Sequence, residues 1–428
     1  MRMILSILVL AVLAIGFQGC LKAEWQPVAN VSGGASVGLD EVGSGSENED
    51  KKEDGEGNGG DNLSKANLKS ELERNLVQNC TADSEYNACI FWKNPVAQQG
   101  QAFTTAINRN SDLKNVQIHA VNIEGYDDSG VLKNSSFFVR ALTASGQLQS
   151  VSTESGQFKF SFRGDALHRV GQVMAFYWLT LQEKYMSVVT GAFFAAKKGI
   201  SVISYVPDLE NAYWDSDLQE VVLGSSTVGN EFALGAEVYL HEMGHANVAY
   251  ATNYKINESV GSFSSISCGG GQAVCCANAN GCSWAINEGQ ADYHAGILFS
   301  ASTTFLETFV NNTSGLSECG LSRSLDANKN LTAQAAYNAC NVNVRGEVHV
   351  TGRVYASVWW EVRKLAEKNS PEVGADEIDV LFTNHLVTLE ARDTFVTALD
   401  KIQAVDQTLY KGKYSNSFKD EFSKRGIQ

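Results

Sequence analysis

The sequence predicts an α+β protein, rich in strands towards its N-terminus and mainly helical after that. Three observations lead there. Between residues 116 and 163, VQIHAV, SFFVRAL and FKFSF alternate in the manner of strands, and DDSG, TASG and TESG supply turns between them. From Asp165 onward helical periodicity dominates. The chain has 428 residues, 44% of them hydrophobic, enough for a substantial core in one large domain or in two or three smaller ones.

The elements follow in chain order. Residues 1–19 read as a signal peptide: Arg2 precedes an apolar run from Ile4 to Phe17, which is too short to span a bilayer. The ending Gly19-Cys20 resembles the lipobox of bacterial lipoproteins, in which the cysteine is lipidated and becomes the mature N-terminus. Phe17 is unusual in such a box, and an ordinary signal peptide cleaved near Gly19 or Ala23 is the other reading. The expectation is an exported bacterial lipoprotein, in the outer membrane or at the cell surface, whose membrane contact is the acyl anchor at Cys20. Leu21-Lys22 offers no acidic inner-membrane retention signal.

Residues 20–64 form the expected tether. The stretch from 30 onward is rich in Gly, Ser, Asn and acids and nearly empty of apolar side chains, so it cannot bury enough surface to fold and repels itself into an extended form. From Asp40 to Asp61 nine acids stand against two lysines, −7 of the chain's net −15. The remainder is only mildly acidic. It shows no basic stripe with interleaved aromatics, which argues against a nucleic-acid partner.

Nine cysteines are odd in number, and setting Cys20 aside leaves eight that can pair completely. In an oxidising compartment they predict four disulfides: Cys80 with Cys89, Cys319 with Cys340, and two within 268–282. Vicinal Cys275-Cys276, with no CxxC pair in SCGGGQAVCCANANGC, speaks against a second, structural zinc site there.

Residues 233–251, ALGAEVYLHEMGHANVAYA, contain no proline and are rich in helix formers. On that helix His241 and His245 share a face one turn apart and can ligate one zinc ion. Glu242, about 100° round the axis, can reach a metal-bound water without ligating the metal. A catalytic zinc needs a third protein ligand. A second predicted helix, WAINEGQADYHAGIL at 284–298, can supply it through Glu288. Asp292, one turn on, suits the task of holding a histidine's outer N–H. Ala291 and Ala295 would allow close helix packing.

HEMGH followed by NEGQAD resembles the HExxH and N-E-x-x-x-D pattern of the gluzincin metallopeptidases typified by thermolysin, and more closely their fungalysin-like branch; Asn287, Glu288 and Asp292 carry the second motif. The spacing between the motifs differs from thermolysin's by the cysteine-rich insert 268–282. Residues 211–224, NAYWDSDLQEVVLG, resemble the family's N-A-F-W edge strand, which implies that Asn211 and Ala212 pair with substrate backbone. EVHVTGRVYASVWWEVRKL at 347–365 resembles the V-H-x-x-G segment before a long helix, its WWEV being especially like fungalysins; His349 would then stabilise the transition state.

The resemblance covers roughly residues 90–400. It implies a thermolysin-like, two-lobed enzyme: a β-rich lobe at 65–232, a helical lobe at 233–428, and one catalytic zinc in the cleft between them. It further implies a zinc-dependent endopeptidase for extracellular or envelope polypeptides, with His241, His245 and Glu288 as ligands, Glu242 as general base, and Asp292 and Asn287 behind the ligands. The chain is expected to be a monomer, and no structural calcium site is evident. Phe232 and Val238, near the metal helix, are candidates for an apolar primed-side pocket.

There are departures from the family pattern. The acidic partner five residues before the transition-state histidine is Val344, with Glu347 the nearest substitute, and Tyr250 and Tyr254 are only candidates for the oxyanion tyrosine. These families usually carry a long inhibitory propeptide, yet fewer than 70 residues separate Cys20 from ACIFWKNPV. The competing class is a non-enzymatic surface lipoprotein that uses the peptidase fold for binding or adhesion. A zinc aminopeptidase is disfavoured because a GxMEN-type amine-recognition motif is absent.

Overall fold

In a computed structural model of the chain, the described residues are 80, 85–92, 94–98, 116–143, 145–153, 155–160, 167–225, 230–256, 282–298, 324–326, 328–339 and 348–427. The chain divides into two units, Met1–Leu63 and Ser64–Gln428. The signal peptide, Cys20 and the tether lie outside the described residues. Among the described residues no helix is long and apolar enough to cross a membrane.

Two sheets occupy the N-terminal half. Strands β1 (Ala88–Phe91) and β2 (Ile118–Val121) pair antiparallel, with Ala88 opposite Val121, and the expected Cys80–Cys89 disulfide pins this ribbon. Strands β3 (Phe137–Leu142), β4 (Leu148–Gln149), β5 (Ile200–Ile203), β6 (Ala212–Asp215) and β7 (Glu220–Leu223) form a mixed sheet in the order β4-β3-β5-β7-β6. The turns fall where the sequence places them. Asp127 Oδ1 accepts from the N–H groups of Ser129 and Val131, and Gly130, Gly146 and Gly156 each adopt the positive φ that closes DDSG, TASG and TESG.

Two expectations need correction. FKFSF does not form a strand over its described residues 158–160: Phe158 makes a single bridge to Ala88, donating its N–H to Asn87. Alternation prepares a half-buried surface, but a strand also needs a neighbour's hydrogen bonds, and Phe158 meets only the end of β1. The helical character read from Asp165 onward is also interrupted, by β5 as well as by β6 and β7, which fall in the edge-strand segment expected at 211–224. The reason is topological. β3 and β5 are parallel, as are β5 and β7, and a parallel pair needs a long crossover. Helix α1 (Leu167–Tyr185) fills the β3-to-β5 crossover, burying Val173, Phe176, Trp178 and Leu181, so the segment read as β-rich contains a 19-residue helix.

The helices after the sheets are α2 (Ala236–Ala251), α3 (Ser283–Gly296), α4 (Ala333–Ala339), α5 (Val348–Asn369), α6 (Gly374–Leu386), α7 (Phe395–Tyr410) and α8 (Ser415–Lys424). The long α5 is central: α3, α4, α6 and α8 pack on it, and Trp359 meets Phe382 and Phe418 edge-to-face. A buried ionic knot ties this layer together. Arg363 of α5 donates Nε and Nη2 to the two carboxylate oxygens of Asp379 of α6, at 3.0 and 3.1 Å. Tyr293 of α3 and Tyr185 at the end of α1 donate to the same oxygens, each at 2.7 Å.

A neutral histidine sits nearby. Tyr355 of α5 donates to His385 Nε2 at 2.8 Å, which leaves Nδ1–H facing Thr388 Oγ1 at 3.2 Å. Burial first, then the Lys401 charge, depress the His385 pKa to about 3. A histidine depressed when folded takes up its proton more readily when unfolded. Its neutral form is therefore costless above the unfolded value near 6.5, and stability is lost as pH falls from there towards 3. His245 and His294, both lowered to about 4 by burial, act with the same sign. We predict that urea midpoints of chelator-treated protein fall steadily between pH 6.5 and 4. His385→Gln, which can still accept from Tyr355, should flatten that slope by up to about 1 kcal/mol per pH unit; parallel slopes in the two proteins would disprove the assignment.

Candidate metal centre and active site

Helix α2 is buried on nearly every side, as expected for one at the heart of a large fold rather than on its surface. It packs against α1, α3, β6 and β7. Spacing along α2 stacks His241 and His245 with their rings edge-to-face, 4.6 Å between centroids. Helix α3 runs alongside and brings Asn287, Glu288 and Asp292 to the same level.

Each histidine is held from behind. His241 Nδ1 lies 2.9 Å from Asp292 Oδ1, and His245 Nδ1 lies 3.2 Å from Asn287 Oδ1. Both partners are oxygen acceptors, so each Nδ1 carries the proton and each Nε2 presents a lone pair. Those Nε2 atoms face each other at 3.0 Å, with the Glu288 carboxylate straddling them: Oε2 is 3.4 Å from His241 Nε2 and Oε1 is 3.6 Å from His245 Nε2. Two lone pairs opposed at that distance beside a carboxylate repel unless a cation lies between them.

The donor set fits zinc. Bond lengths of about 2.0–2.1 Å place tetrahedral ligand atoms about 3.3 Å apart, close to the separations found here. His241, His245 and Glu288 accordingly form a group able to hold a metal ion. The electrostatics agree. Burial pushes the His245 imidazole down to about 4, which keeps it neutral and able to ligate. Burial alone would raise the Glu288 carboxyl, but His349, His245 and His241 reverse that and hold it well below the usual range.

The other expected site residues sit around this centre. Glu242 is buried on α2 next to His241. His349, in the first turn of α5, brings Nε2 to 3.3 Å from Glu288 Oε1; its side chain is 29% exposed, against 5% for His241 and 13% for His245. It faces an accessible side of the centre. Ala212 opens β6, the edge strand of the sheet, which packs on α2. Asn211 uses its main-chain carbonyl inward, accepting from Gly224 N–H at 2.9 Å. By the alternation of an antiparallel pair, the N–H and C=O of Ala212 then point to the open edge.

Some candidates fall elsewhere. Phe232 and Val238 are fully buried core residues rather than the wall of an open pocket. Tyr250 lies about 13 Å along the α2 axis from His241, with its ring between Tyr254 and Trp214 of β6. Cys20, Val344, Glu347, Cys319, Cys340 and residues 268–281 lie outside the described residues. Cys282 is disulfide-bonded.

Sequence reasoning missed His294, whose Nδ1 meets the Leu240 carbonyl at 3.3 Å and ties α3 to the residue before His241. The packing roles of Gly244 and of Gly352, the glycine of the V-H-x-x-G segment, were not read either; both line the seams of α3. A histidine two residues after Asp292 was the only available signal for the first, and for Gly244 the signal was a helix-poor residue inside a helix.

Residues 171–428 match the sequence model of the fungalysin metallopeptidase family, whereas comparison with curated proteins gives no match. More than half of the chain lies within that match, and it contains the whole His241, His245 and Glu288 group, so the chain belongs to the fungalysin metallopeptidases, which hydrolyse peptide bonds with a metal, typically zinc.

Proposed function

We propose that the chain is an endopeptidase of the extracellular or envelope compartment that cleaves extended or unfolded polypeptide, with His241, His245 and Glu288 holding a single zinc ion. The opposed Nε2 atoms carry this reading, because two fixed Nδ1–H tautomers leave both lone pairs aimed at one point. Bound there, zinc supplies Lewis acidity towards water and the scissile carbonyl.

The remaining work belongs to the chain's own side chains. Glu242 takes the proton of the attacking water on its carboxylate and returns it to the leaving amine. His349 donates an N–H to the carbonyl oxygen as negative charge develops there. Asp292 and Asn287 keep the ligand imidazoles in one tautomer and orientation. Substrate lies along the open edge of β6, where Ala212 offers its main-chain groups and Asn211 flanks them, and this gives affinity without reading side chains.

Export fits a family whose members are typically secreted. The Gly19-Cys20 boundary supports a lipid anchor, and the acidic stretch up to residue 64 supports a tether that keeps a monomeric catalytic unit clear of the membrane. The test is casein cleavage by the purified chain before chelation, after it, and after zinc is returned. The expected result is a loss of more than about 100-fold on chelation with full recovery on zinc. A zinc-loaded protein that cleaves nothing would favour the binding or adhesion module.

A further inference from the structure

Helix α3 touches both of its neighbours at glycine. A β-carbon on Gly244 of α2 would lie 2.8 Å from Ala291 Cα and 3.1 Å from Ala291 Cβ. On the opposite flank, a β-carbon on Gly352 of α5 would lie 2.8 Å from the Ala285 carbonyl oxygen, 2.8 Å from Glu288 Cβ and 2.9 Å from Gly289 N. One on Gly289 would lie 2.6 Å from the Gly352 carbonyl oxygen. Backbone therefore meets backbone on both sides of α3, at the turn that bears Glu288. Glycine is a poor helix former, so these positions need space rather than helical propensity. Side chains can repack around an intruding methyl, but two helix backbones in contact can only move apart.

We propose that Gly244 and Gly352 are positioning residues for the metal centre, setting the separation of α3 from α2 and from α5 so that the Glu288 carboxylate meets His241 and His245. The inference rests on the zinc assignment above. A methyl group at either glycine displaces α3 by several tenths of an ångström or more, directly beneath Glu288. Zinc, with short bonds and a small ligand cage, is sensitive to that displacement. Cadmium, a larger ion, tolerates a wider cage. Gly352 also lies one turn after His349, so the same contact sets the 3.3 Å approach of His349 to Glu288.

Gly296 supplies the control. A β-carbon there would lie 2.7 Å from Leu325 Cδ1, a clash of similar size at the far end of α3 and against a side chain. The experiment is chelator competition on the full chain, giving zinc and cadmium affinities for the wild type, Gly244→Ala, Gly352→Ala and Gly296→Ala, with the melting temperature of each metal-free protein. The expected result is a zinc affinity lowered roughly 10–100-fold in the first two variants, a smaller loss for cadmium, and an unchanged ratio of the two ions in Gly296→Ala. If Gly244→Ala does not fold, Gly244→Ala with Ala291→Gly removes the 3.1 Å contact and should fold with weakened zinc binding. Lower melting temperatures with wild-type affinities for both ions would overturn the positioning role. Absence of zinc binding by the wild type would instead overturn the zinc assignment itself.

Discussion

Glu242→Gln is expected to lower kcat/KM for peptide hydrolysis by about 10²- to 10⁴-fold while leaving bound zinc at wild-type stoichiometry, because general acid–base catalysis contributes rate factors of that size. Glutamine matches glutamate in shape and can still hydrogen-bond, yet it cannot take a proton and give it back. Residue 242 projects about 100° round α2 from His241, so the substitution leaves His241, His245 and Glu288 untouched. Its buried position also keeps bulk water from replacing the lost base. Glu242→Asp should fall between the two, since the shorter side chain keeps the basicity but withdraws the oxygen. Parallel kinetics and elemental analysis decide the matter; cleavage within ten-fold of wild type, or loss of zinc, would remove Glu242 from its role.

Asp379→Ala should be the most damaging substitution outside the centre, costing about 3–5 kcal/mol, the range for breaking a buried ion pair by deleting one partner. The change leaves the Arg363 guanidinium buried without a carboxylate, its Nη2 still donating to the Ile297 carbonyl at 3.3 Å, and takes the carboxylate acceptor from the hydroxyls of Tyr185 and Tyr293. Against a typical total stability of about 5–15 kcal/mol, that is a large fraction. The effect should reach zinc, because Tyr293 adjoins Asp292 on α3. Replacing Asp379 and Arg363 together by leucine and methionine should recover much of the loss, since an apolar pair leaves no charge buried alone. Thermal melts of the single and double variants test this; a double variant no better than Asp379→Ala would show that the knot contributes more than charge neutralisation.

The sequence makes the centre legible because helical spacing is local. His241 with His245, and Glu288 with Asp292, lie at i and i+4, so each helix shows its functional face without knowledge of its neighbours. Asn287 was readable from the motif, although the imidazole it would hold was not. The Cys80–Cys89 pair was also local, nine residues apart. What depends on partners stayed hidden. FKFSF alternates as well as SFFVRAL does, but over its described residues it makes only a single bridge, at Phe158, whereas SFFVRAL pairs as a strand. Arg363 and Asp379 look like ordinary surface charges until α3, α5 and α6 close over them. Gly244 reads as a flaw in a helix until Ala291 is placed against it.

Every proposed catalytic role depends on one zinc ion held among His241, His245 and Glu288. Anomalous diffraction at the zinc edge, on crystals grown without added metal, would locate it. The expected result is a single strong peak about 2.0–2.2 Å from Nε2 of both histidines and from a Glu288 oxygen. Zinc located away from these three side chains, or a fully occupied centre in which one of them points elsewhere, would contradict it.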